Sequence, residues 1–237
     1  MTLDESRRAV IRDAIGIGIA TGAYGLSFGA LSTTAGLSVL QASALSLLVF
    51  TGASQFALVG VIASGGNPLA GAATAIMLGS RNALYGLRLA PLLEVKGLRK
   101  LAGAQLVIDE STAMGVAHEP TSKEHGRLGF WSTGLSVFIL WNLGTLIGAA
   151  GAQSLSDPKV LGLDAAAPAA FIALLAPRMR GREPWVVALL AAAVALVAVP
   201  FVPSGAPVLV AAVVVMLFSL IAPAGPDEQR DDPEPVT

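Results

Sequence analysis

Residues Leu101–Ala117 read LAGAQLVIDESTAMGVA, a lipid-like run that carries two adjacent carboxylates, Asp109 and Glu110, at its middle. At the centre of a bilayer each such acid costs about 2.5–3.5 kcal/mol on insertion scales, so an apolar segment keeps them only for a reason. Taken as one helix, the segment predicts a polar stripe of Gln105, Asp109 and Thr112 at i, i+4 and i+7. Glu110 then lies about 100° round the helix, among Leu106, Ala113 and Met114. The two acids have different surroundings on this reading, and different roles in the ion and substrate path of a small membrane transporter.

The rest of the chain suits that setting. Mean hydropathy is +0.71, with 54% hydrophobic and only 13% charged residues among 237, which does not suit a soluble surface. The 26 glycines and abundant alanine fit helices packed closely through small residues. Without cysteine there is no disulfide framework or thiolate chemistry, and two histidines are too few for most metal cages. No P-loop pattern, cofactor motif or nucleic-acid signature occurs, and Gly25-Leu26-Ser27-Phe28-Gly29 matches a hydrolase elbow only inside a glycine-rich span. The chain therefore reads as neither an enzyme nor a cofactor protein. Cations cluster in Arg7–Arg12, Lys96–Lys100, Lys123–Arg127 and Arg178–Arg182, whereas five of the 16 acids fall in the last eleven residues.

In chain order, residues 1–13 form a charged lead-in with an interfacial turn at Asp4–Asp13, followed by a membrane domain over 14–222 and a disordered acidic tail over 223–237. Ala14–Leu31 is a first span whose Gly18-x3-Gly22 and Gly25-x3-Gly29 spacings call for a closely packed neighbour. Leu40–Ala63 is interrupted at Thr51–Gln55, and Pro68–Leu93 is long enough to tilt or break. The acidic segment is a fourth span. A polar loop, His118–Arg127, leads to Gly129–Ala152, then to the shorter Leu163–Pro177, and finally to Trp185–Val202 and Pro207–Ala222. A weak similarity at an offset of 115 suggests an internal repeat of 14–117 and 129–222, with paired discontinuities at Thr51–Gln55 and Asp164–Pro168. The fold expected is all-α and polytopic, with about 7–8 transmembrane helices, some broken or re-entrant. The positive-inside rule puts the other basic clusters in the cytoplasm, but eight simple spans would leave Lys96–Lys100 outside. Either one segment among residues 40–117 is re-entrant, or the rule fails at that loop.

Arg81, Tyr85 and Arg88 share one helical face, with Asn82 beside them. Arg81 meets a substrate carboxylate or pairs with Glu110; Arg88 reads better as a structural charge or one that snorkels to an interface. Ser54, Gln55, Trp141, Asn142 and Thr145 bind ligand or satisfy backbone groups freed by broken helices.

Five segments in order, Thr51-Gly52-Ala53-Ser54-Gln55-Phe56, Gly79–Gly86, Ile108–Thr112, Trp141–Thr145 and Gly162–Ala169, resemble the AzlC/BrnF-type large subunits of branched-chain amino acid exporters. The resemblance covers roughly residues 10–220. It implies a multi-pass subunit of the cytoplasmic (inner) membrane that works with a small hydrophobic AzlD/BrnE-type partner to export leucine, isoleucine, valine and sometimes methionine using the proton-motive force. From the chemistry of the residues themselves, Arg81, Asn82, Tyr85, Asp109, Ser54, Gln55 and Asn142 are the substrate-site candidates. Glu110, with Asp109, is the candidate for proton coupling, because a carboxyl among apolar side chains gives up its charge readily. Two other readings stand beside this one: a non-transporting membrane scaffold whose charges hold a partner, and an ion channel.

Overall fold

The computed structural model describes residues 3–154, 181–202 and 206–221, with a few isolated positions between them. Among the described residues the secondary structure is helical throughout. Contacts divide the chain into two units, Met1–Arg178 and Met179–Thr237.

The first unit is built on two long helices, α1 (Leu3–Thr34) and α8 (Lys123–Gln153). Both are long and apolar enough to cross a membrane. Their contacts advance together, with Gly18 against Ser136, Gly22 against Leu140, Gly25 against Trp141 and Gly29 against Thr145, so the two helices run parallel. The approach is close enough to require glycine: a Cβ on Gly25 would lie 2.6 Å from the Trp141 carbonyl oxygen. Arg7 Nη1 meets Glu124 Oε1 at 2.9 Å where both helices begin, which marks one end of the bundle. The charged lead-in is not a separate turn. It forms the first turns of α1 itself, because no glycine or proline interrupts Leu3–Asp13.

Between these two helices the chain runs in short pieces: α2 (Val39–Leu48), α3 (Ala53–Ala63), α4 (Pro68–Gly79), α5 (Arg81–Leu93), α6 (Leu98–Gln105) and α7 (Asp109–His118). At 1.5 Å per residue the pieces of 10–13 residues span about 15–20 Å, half of a bilayer core rather than all of it. The Leu40–Ala63 segment is broken, but earlier than the Thr51–Gln55 expected: the interruption is Val49–Gly52, where Gly52 takes φ +55, and Ala53–Gln55 already belong to α3. Asn67 caps α4 by accepting from Leu69 N–H at 2.8 Å, with Pro68 at its first position. The α4–α5 junction at Ser80 stays in helical geometry.

The single helix expected over Leu101–Ala117 does not form. The segment breaks at Leu106–Ile108, so Gln105, Asp109 and Thr112 are not one stripe, and Glu110 is not on a continuous face with Leu106. Ser111 explains the break locally: its hydroxyl accepts from Ile108 N–H at 3.1 Å and donates to Leu106 C=O at 2.6 Å, replacing the helical pairing there. The break also moves both carboxylates from mid-helix to the first turn of α7, where the positive end of the helix dipole favours them.

The α6–α7 pair is a hairpin. Gly103 lies against Trp131 and Leu106 against Gly134, so α6 runs inward from the Arg7–Glu124 end; Met114 then lies against Gly129 and Glu119 against Gly126, so α7 returns to that same end. Lys96–Lys100 therefore lies at the end of the bundle where Lys123–Arg127 begins α8. The polar loop expected at His118–Arg127 shrinks to Glu119–Ser122, since Ser122 caps α8 by accepting from His125 N–H at 3.1 Å.

The core holds Phe28, Phe56, Val59, Leu89, Leu92, Phe130 and Trp141. Phe56 meets both Phe28 and Trp141 edge-on, with ring centroids 5.4 and 6.2 Å apart. Outside the core, large apolar side chains such as Ile19, Leu40, Leu87 and Ile147 are exposed along several helices.

The second unit contains α9 (Arg182–Ala198) and α10 (Ala206–Ile221), packed against each other and exposing Leu189, Leu196, Val197 and Met216. The readings placed on Leu163–Pro177, on Asp164–Pro168 and on the tail from Pro223 lie outside the described residues.

Candidate functional site

The two chain breaks meet at mid-bundle. Gln105 at the end of α6 donates from Nε2 to Leu47 C=O at 2.8 Å, satisfying a carbonyl at the end of α2. Gln55 holds the first break together: Oε1 accepts from Gly52 N–H at 3.1 Å, and Nε2 donates to Leu45 C=O at 3.2 Å. Fully buried, it spans the gap between the end of α2 and the start of α3.

A cavity of about 110 Å³ opens beside these breaks. One water needs about 10–15 Å³ on this scale, so the space suits a small solute. Three half-helices begin at its wall: Gly52 and Ala53 belong to the start of α3, Arg81 and Asn82 to that of α5, and Asp109 and Glu110 to that of α7. Thr21 and Tyr24 of α1, Phe50, Thr51, Phe56, Ile108, and Val137 and Trp141 of α8 complete the lining. Three positive helix ends thus share a wall with one guanidinium and two carboxylates, and the rest is largely aromatic.

Arg81 Nη2 lies 3.0 Å from Asp109 Oδ2, with both side chains mostly buried. The expectation for Arg81 was a substrate carboxylate or a pair with Glu110; the ion pair observed is with Asp109, and it joins the first residue of α5 to the first residue of α7. Arg81 Nε and Trp141 Nε1 are buried without a hydrogen-bond partner among the described residues. The cavity residues therefore hold donor capacity that a ligand oxygen could take up.

Of the residues selected from sequence, Arg81, Asn82, Asp109 and Glu110 come together at the cavity. Ser54, Gln55, Tyr85 and Asn142 do not line it. Ser54 is buried near Gly79, Gln55 holds the break, Tyr85 packs against the core from α5, and Asn142 donates to Phe138 C=O at 2.7 Å within α8. Thr21, Tyr24, Phe50 and Val137 line the cavity without having been selected. Tyr24 had a signal, as one of two tyrosines in the chain, set in a glycine-rich span. Arg88 is an ion-pair residue, 2.6 Å from Glu119, and ties α5 to the end of α7.

No curated protein and no solved structure matches the chain. A family model described as AzlC protein matches residues 16–155, which run from Gly16 within α1 to the end of α8 and include the whole cavity. With more than half of its length matched in this way, the chain belongs to the AzlC family.

Proposed function

We propose that this protein is the large subunit of a secondary transporter that exports branched-chain, and methionine-like, amino acids in exchange for protons across the cytoplasmic membrane. The AzlC family is associated with branched-chain amino acid transport. The observation that carries the reading is the cavity at the meeting of three helix starts, because a zwitterionic amino acid needs the group types found there. Its carboxylate requires donors, for which Arg81, with Nε unsatisfied, and the starts of α3 and α5 are suited. The ammonium requires an acceptor, for which Asp109 is suited. An aliphatic side chain requires apolar walls such as Phe50, Phe56, Val137 and Trp141. In this reading Asp109 exchanges Arg81 for the substrate ammonium as the carboxylate engages Arg81, and Glu110 carries the coupled proton. Broken helices around a central site are the usual arrangement for such transporters. Seven or eight crossings, with α6–α7 re-entrant, would keep the basic clusters on the cytoplasmic side. A small hydrophobic AzlD/BrnE-type subunit would cover part of the exposed apolar surface.

The test is counterflow of radiolabelled leucine in proteoliposomes that contain the chain with and without such a subunit. Saturable exchange of leucine, and net flux that responds to a pH gradient, are expected in the presence of the subunit. Absence of leucine exchange in both preparations, with the protein folded, would favour the scaffold reading, in which the Arg81–Asp109 pair is purely structural. Ion current without exchange would favour a channel.

A further inference from the structure

A second concavity, of about 710 Å³, lies where α5 ends, α6 begins and α8 starts, away from the candidate substrate site. Lys96, Arg99 and Arg127 line it against a single carboxylate, Glu94, and the Trp131 indole forms part of the wall. That carboxylate is already engaged, with Lys123 Nζ at 3.0 Å and Arg127 Nη2 at 2.6 Å. Lys96 and Arg99 have no ion-pair partner among the described residues, nor does Lys100 next to them. The cleft therefore keeps an excess of positive charge.

Arg127 is fixed. Its Nε donates to Leu92 C=O at 2.7 Å and its Nη2 to Glu94, which orients the guanidinium at the rim before any ligand arrives. Lys96 and Arg99 are exposed on either side of the turn at Gly97, where φ is +58. On the helix that follows, Leu98 and Leu101 are 83% and 68% exposed and are the chain neighbours of Arg99 and Lys100, one helical step round from the Arg99 and Ala102 positions that line the cleft. Trp131 packs against Gly103 of the same helix. A cationic cleft, an indole and adjacent exposed leucines make up one patch with a polar and an apolar part.

We infer that this cleft binds the phosphodiester headgroup of an anionic phospholipid, with the phosphate at Lys96, Arg99 and Arg127 and the acyl chains along Leu98 and Leu101. The exposed leucines decide for a lipid over a free phosphate, which has no use for them. The indole suits the headgroup level of a bilayer. The assignment rests on the membrane placement proposed above but not on the transported substrate.

The test uses the purified full chain, with its small subunit if that is required for stability, in neutral detergent. Thermal unfolding is followed while phosphatidylglycerol, phosphatidylcholine or inorganic phosphate is titrated in, for wild type and for the Lys96→Gln/Arg99→Gln double variant. Phosphatidylglycerol should raise the melting temperature of wild type saturably, while phosphatidylcholine and phosphate should not. Removing two cations should weaken the phosphatidylglycerol affinity about thirtyfold. An equal response to both lipids, or an unchanged phosphatidylglycerol response in the double variant, would overturn the inference. So would an equal shift from inorganic phosphate, which would assign the cleft to a free anion. Leucine is added in a parallel titration to keep the two proposals apart: stabilisation by leucine should survive in the double variant, and its absence in wild type would count against the transport reading alone.

Discussion

Arg81 Nη2 and Asp109 Oδ2, 3.0 Å apart, join the first residue of α5 to the first residue of α7 across the cavity. Both groups are mostly but not wholly buried, so single removal should cost less than the about 3–5 kcal/mol of a fully buried pair. A structural pair should tolerate exchange of the two charges better than loss of either, whereas a substrate ligand should not. Arg81→Lys keeps the charge but loses the planar fork, so it should fold normally and bind leucine more weakly. The measurement is thermal stabilisation by leucine compared with leucine amide, which lacks the carboxylate. Wild type should respond to leucine and hardly to the amide, and Arg81→Lys should narrow that difference. Equal stabilisation of wild type by both compounds would leave Arg81 a structural charge.

The α1–α8 contact makes a sharper prediction about stability. A Cβ on Gly29 would overlap the Thr145 carbonyl oxygen and lie 2.7 Å from Ala149 N, both backbone atoms of a long helix that cannot yield locally. Gly29→Ala should destabilise the protein by about 1–3 kcal/mol or prevent its purification as a monodisperse species. Gly16 has nothing within 4 Å of the same position, and Gly16→Ala should be neutral or stabilise by up to about 1 kcal/mol. Similar melting temperatures for the two variants would show that α1 and α8 do not pack through glycine.

Gln55 is predicted to act on the fold and not on the ligand. Gln55→Ala strands Gly52 N–H and Leu45 C=O in a buried break, a loss of about 2 kcal/mol or more in stability. Where the variant can be purified, its affinity for leucine, measured by isothermal calorimetry below the melting transition, should change by less than about threefold. A large loss of affinity with unchanged melting temperature would return Gln55 to the binding site.

The helical segments and the glycine face of α1 were legible because each depends on local pattern: small residues at i and i+4, a turn at Ser64–Pro68, and apolar runs ended by charge. The break at Leu106–Ile108 was not. Val107 and Ile108 are β-branched but would sit without strain in a membrane helix, and what turns the chain is a serine hydroxyl whose two bonds are visible only in three dimensions. With that break, Asp109 starts α7, and it is Asp109 that forms the ion pair with Arg81, where the sequence had offered Glu110 or a substrate carboxylate. Four of the eight site candidates, Ser54, Gln55, Tyr85 and Asn142, stand off the cavity, and Gln55 shows one reason: polarity in an apolar segment serves backbone repair as readily as ligand binding. Thr21, Phe50 and Val137 carried no local signal, since a wall residue is defined by what it faces.

Glu94 gives the pH dependence its sign. Hydrogen bonds from Lys123 and Arg127, followed by their charges, hold its carboxyl below the usual glutamate range. A group with a lowered value in the folded state stabilises the protein above its unfolded value, and that contribution disappears as pH falls through the folded value. Glu94→Gln should therefore melt at a lower temperature than wild type at pH 7. The difference should shrink as pH falls below the ordinary carboxylate range. The group is exposed, so the effect is expected to be small and to diminish further in high salt. A difference that grows on acidification would assign the effect to something other than these ion pairs.

Glu110 decides whether the proposed transport is coupled to protons. It lines the cavity one residue into α7, next to the carboxylate that pairs with Arg81, so two acids share one helix start and one small space. With Asp109 paired to a cation, the second carboxylate is the one whose charge can change without breaking that pair. Glu110→Gln reproduces the protonated acid in shape and leaves Arg81–Asp109 in place. In proteoliposomes the variant should exchange internal for external leucine at a rate comparable to wild type. Net leucine movement driven by a pH gradient should fall to the level seen without a gradient. Asp109→Asn should behave differently, with weaker leucine binding, because it removes the charge proposed to receive the ammonium. Unchanged pH-driven flux in Glu110→Gln would sink the proton-carrier role, and loss of exchange together with net flux would make Glu110 part of the substrate site instead.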